Sequence, residues 1–208
     1  MDWVAWHEEY DEPGSSLRRR LMVVQRHIRQ ALDGRPPGPI RVLSMCAGQG
    51  RDLLGVLTDH PRRGDVRARL VELDPRNAAL ARKAAPAGVE VVTGDAGLTA
   101  AYDGVVPVHL ALVCGVFGNI SDEDIRHTIT ELPRLCAPGA TVIWTRHREP
   151  PDLTPAIREW FADNGFEELA FHPDPDSSST VGANRLTGPA LLYRRDTRLF
   201  EFIRHPGR

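Results

Sequence analysis

The segment Val42–Leu53 reads VLSMCAGQGRDL, an apolar run that breaks at Gly48 and Gly50. Two glycines just after a strand-like run mark a backbone that comes too close to a ligand to carry a Cβ. A second apolar run, ARLVELDPRN, ends on two carboxylates, Glu72 and Asp74, and a third is followed by TGDAG, with Asp95 at its centre. Strand, glycine turn, helix and an acid at the tip of the next strand is the geometry that binds dinucleotides or nucleosides. A nicotinamide fingerprint asks for a third glycine at position 53, where this chain has Leu53. The spacing therefore disfavours a nicotinamide oxidoreductase, which stays as an alternative.

These residues need a frame to hold them. Leu17, Leu21, Val24, Ile28 and Leu32 repeat with helical spacing over 15–32, with Arg18–Arg20 on a face that reads as solvated. GRPPGP then breaks the helix and hands over to a strand at 40–45. Strands at 69–73 and 90–93, with helices at 51–58 and 75–84 between, complete a βαβαβ rhythm. A fourth strand at 109–114 leads through GVFGN to a helix opened by Ser121 and Asp124 at capping-box spacing. A fifth is expected at 141–144, a helix capped by Thr154 ahead of Pro155, and last strands at 166–171 and 199–203. HPDPDSSST and GANRLTGP between the last strands read as turn clusters.

The chain has 208 residues, 26 Lys and Arg against 28 Asp and Glu, and a net charge of −2. One domain is expected, and no basic excess advertises nucleic acid. No run approaches the ~18 apolar residues of a membrane span, and MDWVAWHEEYDEP is not a leader, so the expected location is cytoplasmic. Cys46, Cys114 and Cys136 form no CxxC pair and read as buried free thiols, with no metal site expected.

VLSMCAGQGR resembles the first motif of the class I S-adenosylmethionine-dependent methyltransferases, commonly VLDLGCGTGR, and the likeness extends from about Arg41 to His147. The resemblance implies an α/β doubly wound, Rossmann-like sheet, mostly parallel, of about seven strands with the last antiparallel. It implies a core at 40–208 behind an N-terminal helical lid at 1–39. The implied cofactor is S-adenosyl-L-methionine, with S-adenosyl-L-homocysteine as product. Matched position by position, Cys46, Ala47, Gly48 and Gly50 would run under its methionine and ribose. Glu72 would accept both ribose hydroxyls, followed by Leu73, while Asp74 reads as a helix cap. Asp95 would accept from the adenine amino group, Ala96 would meet the ring, and Cys114 and Gly115 would floor the sulfonium. Ser44 stands where many relatives carry an acid that helps hold the cofactor's amino group. Cys46 replaces the first glycine of the loop and must either avoid a positive φ or be strained.

On the acceptor side, WVAWHEEYDEP, with Trp3, Trp6, His7, Tyr10 and Asp11, reads either as a lid or as a helix packing its tryptophans on the core. Arg146, His147 and Arg148 follow strand five and read as a pocket wall or a solvated loop. His147 is a candidate general base, with His7 its rival on the lid, because imidazole titrates near neutrality. Arg185 is a candidate to turn inward. No NPPY or DPPY tetrapeptide marks a nucleobase substrate. A small-molecule methyl acceptor at O, N or S is expected, with a homodimer possible. The alternatives are a protein or RNA methyltransferase that needs a partner, and a non-catalytic cofactor-binding scaffold.

Overall fold

The computed structural model describes residues 7–203, without the side chains of His7 and Glu8; Trp3 and Trp6 lie outside the described residues. Seven strands, β1 (Ile40–Met45), β2 (Val66–Glu72), β3 (Val89–Thr93), β4 (Val108–Val113), β5 (Cys136–His147), β6 (Phe166–Pro173) and β7 (Ser179–Leu186), form one sheet. Their order is β3-β2-β1-β4-β5-β7-β6. β1 to β5 pair in parallel, and β7 runs antiparallel to both of its neighbours. This is the doubly wound sheet that the motif order implies. The strand order reverses direction between β1 and β4, so a crevice opens at their carboxyl ends.

The helices cover both faces because β1 and β4 are apolar on both. Val42 joins Leu110, Leu112 and Ile143 in one core, with α1 (Ser16–Asp33), α2 (Arg51–Leu57) and α3 (Pro75–Ala84) packed over them. Leu43 and Met45 join Ala111, Val113 and Trp144 in the other, under α4 (Asp122–Leu135) and α5 (Thr154–Asp163). α1 starts where Ser15 Oγ accepts from the Arg18 N–H at 3.1 Å, and it buries Val24, Ile28 and Leu32, each worth roughly 1.5–3 kcal/mol. α4 starts as read, with Ser121 Oγ accepting from Asp124 N at 3.0 Å. α5 begins one residue earlier than expected, with Thr154 already inside the helix instead of capping it. Leu153 is its N-cap, and the Asp152 carboxylate takes both the N–H and the hydroxyl of Thr154.

The last strands depart from the sequence reading. GANRLTGP was expected to turn, yet 179–186 is β7, inserted between β5 and β6. Gly182 pairs with Trp144 on β5, and a Cβ there would lie 2.2 Å from Trp144 Cε2. Asn184 Oδ1 accepts from Trp144 Nε1 at 2.8 Å. Both turn-forming residues are demanded by one tryptophan across the sheet. Arg185 is exposed on β7 instead of reaching inward. Residues 199–203 form no strand of the sheet; they belong to a strap that meets the core at two isolated bridges, Leu98 with Arg198 and Ile120 with Phe202.

The RRR face and HPDPD are also not simply solvated. Arg19 pairs with Asp174 at 3.0 Å, and the His27 and His172 rings lie 5.0 Å apart between α1 and β6. Among the described residues no helix is long and apolar enough to cross a membrane.

Candidate cofactor site

β1 and β2 end flush, Met45 opposite Val71, and so deliver the loop after β1 beside the acid at the tip of β2. The Glu72 carboxylate is buried and bound from two sides: Oε2 accepts from the Gly48 N–H at 2.7 Å, and Oε1 from the Asp74 N–H at 2.8 Å. A carboxylate offers about four lone-pair sites, so two remain for a ligand's hydroxyls. Asp74 caps α3, Oδ1 accepting from Arg76 N at 2.8 Å, and the Arg76 side chain holds its carboxyl below the usual range. Asp74 is the helix cap that the sequence reading made it.

The glycine loop shows which positions need glycine and why. Gly48 is buried at φ 56° and lines the crevice. Gly50, at φ 69°, does not line it: a Cβ there would lie 2.7 Å from Leu70 Cδ2 and 2.9 Å from Leu54 Cδ1. Its absent side chain serves the packing of α2 on β2, not ligand approach. Cys46 adopts φ 51°, the strained alternative, at a cost of order 1–2 kcal/mol. Burial pushes its thiol, and that of Cys114, far up, and pushes Cys136 up to about 12, so none is a nucleophile near neutrality. No group of three or more His, Cys, Asp or Glu among the described residues is placed to hold a metal.

The crevice is a cavity of about 880 Å³, within the ~300–1,000 Å³ of small-molecule pockets. Its walls bring together Tyr10, Cys46, Ala47, Gly48, Glu72, Leu73, Asp95, Ala96, Cys114 and Gly115. Asp95 Oδ1 accepts from the Gly97 N–H at 2.7 Å, and the buried Tyr102 hydroxyl donates to the Ala96 carbonyl, which fixes this turn. Gly115, at φ 76°, has open space where its Cβ would stand, and its N–H donates to Thr145 Oγ1 at 2.8 Å.

Arg146 and His147 are not in these walls. The Arg146 guanidinium donates to the Phe117 carbonyl, and the His147 ring lies against Gly118, where a Cβ would meet its Cδ2 at 3.4 Å. β5 continues through both residues, and its pairing with β7 orients them. His7 opens the short 3-10 turn His7–Asp11, whose Tyr10 does reach the cavity.

Several wall residues escaped the sequence reading. Asp52 lies in the first turn of α2, its Oδ1 accepting from the Leu53 N–H at 2.7 Å. Burial pushes its carboxyl above the ordinary 3.8, against the pull of the Leu53 N–H and of Arg20. Arg20 comes from α1 and donates to the Tyr10 hydroxyl at 2.9 Å, and Arg51 pairs with Asp11 at 2.8 Å while lying over the Tyr10 ring. Asn119, Arg198 and Phe202 complete the far side. Asp52 was visible as an acid just past the glycine loop; the others had no local signal.

No family model matches the chain, and neither does any curated protein. Solved structures do match. A possible exported protein from Bordetella parapertussis superposes with a TM-score of 0.64 at 18% identity, over 90% of this chain and 80% of that one. A magnesium protoporphyrin IX methyltransferase from Synechocystis with bound S-adenosylmethionine gives 0.63 at 15% identity, over 86% and 88%. An O-methyltransferase family protein from Burkholderia thailandensis gives 0.63 at 17% identity, covering 81% of this chain, which spans 55% of that protein's length. With its 3-2-1-4-5-7-6 sheet, the chain has the class I S-adenosylmethionine-dependent methyltransferase fold.

Proposed function

We propose that the protein is an S-adenosylmethionine-dependent methyltransferase acting on a small molecule. The observation that carries this reading is the Glu72 carboxylate, pinned by the Gly48 and Asp74 N–H groups at the switch point where it lines the cavity. In this pose Glu72 accepts the ribose hydroxyls, Leu73 and Ala96 flank the adenine, and Asp95 takes its amino group. Cys46 to Gly48 follow the methionine portion, and Cys114 and Gly115 lie under the sulfonium, where the missing Gly115 side chain leaves room. Ser44 is buried and outside the cavity walls, so the cofactor's ammonium goes to Asp52. A partly buried carboxylate whose ionised form is penalised is well served by an arriving cation.

The cofactor supplies a methyl carbon activated by a positive sulfur. Held there, it would be open to in-line attack by an acceptor lone pair, with S-adenosylhomocysteine as the leaving group and any acceptor proton passing to a base or water. The residues here hold the donor, line up the acceptor and exclude water. His147 sits off the cavity, so His147→Ala is expected to leave turnover near that of the parent, whereas loss of a placed base costs about 10²–10⁴-fold. His7→Ala then decides between a base on the N-terminal turn and transfer by positioning alone.

Titration calorimetry with S-adenosylhomocysteine and NADH tests the cofactor, and release of S-adenosylhomocysteine across a metabolite panel tests the reaction. Binding of NADH instead sinks the reading; binding of S-adenosylhomocysteine with no turnover on any acceptor marks a scaffold. Asp52→Asn is expected to weaken S-adenosylhomocysteine by roughly 1.5–3 kcal/mol, the worth of a hydrogen bond to a charged group. The bound ammonium favours the ionised carboxyl and lowers its raised pKa. Binding therefore releases a proton, and affinity climbs as pH rises through the free protein's Asp52 titration. In Asp52→Asn that part of the pH dependence should vanish. The free cysteines and the balanced charge favour a cytoplasmic enzyme without nucleic acid as partner.

A further inference from the structure

After β7 the chain crosses back over the sheet's carboxyl end and is pinned along its length. The Tyr193 hydroxyl lies 2.7 Å from both the Thr99 carbonyl oxygen and Asp103 Oδ1, its one proton shared between them, while the Leu199 N–H donates to the Gly97 carbonyl at 2.7 Å and the Ile203 N–H to the Asn119 carbonyl at 2.8 Å. The last two anchors fall on the loops that follow β3 and β4. Gly97 is built for this crossing: a Cβ there would stand 2.3 Å from the Phe200 carbonyl oxygen. Arg198 reaches back to Asp95 Oδ2 at 2.9 Å. Phe200 is buried, but Phe202, stacked on it at 6.0 Å, is 42% exposed. Phe202 lines the same cavity as Leu73, which is 68% exposed. Two large apolar side chains facing one crevice half in water call for a flat apolar ligand to cover them.

We infer that the strap 193–203 is the adenine wall of the cofactor site, with Phe202 stacking on the purine and Arg198 holding Asp95 toward its amino group. This rests on the cofactor reading above. The purine is favoured over the methyl acceptor as the occupant because the anchors sit beside Asp95. That acceptor-only carboxylate matches an exocyclic amino group. The strap thus recruits a distant part of the sequence into the adenosyl subsite.

Calorimetry of the full chain with adenosine and with S-adenosylhomocysteine tests the wall. Phe202→Ala is expected to weaken both by about tenfold, as loss of base–aromatic stacking does, with little change in Tm because the ring is half exposed. Phe202→Trp should retain both affinities. Gly97→Ala, whose Cβ would drive the Phe200 carbonyl away from 2.3 Å and also crowd Asp95 Oδ1 at 3.0 Å and Arg198 at 3.2 Å, should reproduce the loss. If the parent binds both ligands and Phe202→Ala and Gly97→Ala bind them equally well, the strap is only a fastening for α4 and the inference falls. If the parent binds neither, the cofactor reading itself fails.

Discussion

Glu72→Ala is expected to weaken S-adenosylhomocysteine by roughly 1.5–3 kcal/mol, about ten- to 150-fold, and to lower the stability of the free protein as well. The first loss follows from removing a charged acceptor from the ribose hydroxyls. The second follows from the two backbone donors that the carboxylate satisfies, on Gly48 and Asp74, since an N–H left unpaired in a buried position costs about 1–3 kcal/mol. Asp74→Ala is the control. It removes the α3 cap, so Tm should fall while affinity stays near the parent's. Calorimetry and thermal denaturation on the same two variants decide the matter. The opposite ranking of affinities would move the ribose contact to Asp74.

Gly182→Ala should be the most damaging single methyl in the sheet. Its Cβ would fall 2.2–2.4 Å from three atoms of the Trp144 indole, a fully buried ring that also stacks on Phe161 and donates to Asn184. Neither side can yield cheaply. A destabilisation of about 3 kcal/mol, the upper end of overpacking costs, is expected, or roughly 6–12 °C in Tm for a chain of this size. In a Trp144→Phe background, where the five-membered ring is gone, the same change should cost less. An unchanged Tm for Gly182→Ala would mean that β7 swings away from β5 to admit the methyl.

The sequence by itself determined the parts of this protein whose causes are local. β1 and α3 fall where the apolar runs and the Asp74–Pro75 start signal put them, and Ser121 caps α4, because strand period, capping and turn chemistry act over a few residues. The glycine loop after β1 and the acid at the tip of β2 were legible for the same reason: strand ends and the turns after them are written in neighbouring residues. What lay beyond local reach was decided by the tertiary structure. Gly182 and Asn184 look like turn residues until Trp144, some 40 positions away, is seen to require them. Gly97 is a glycine because a strap about 100 residues later crosses it, and that strap delivers Arg198 and Phe202 to a cavity whose other walls come from 10–119. His147 was read as following strand five, but β5 runs through it and pairs it with Ser179 on β7, outside the cavity walls. A side chain's direction at a strand end depends on the partner strand, and only the assembled sheet supplies that partner.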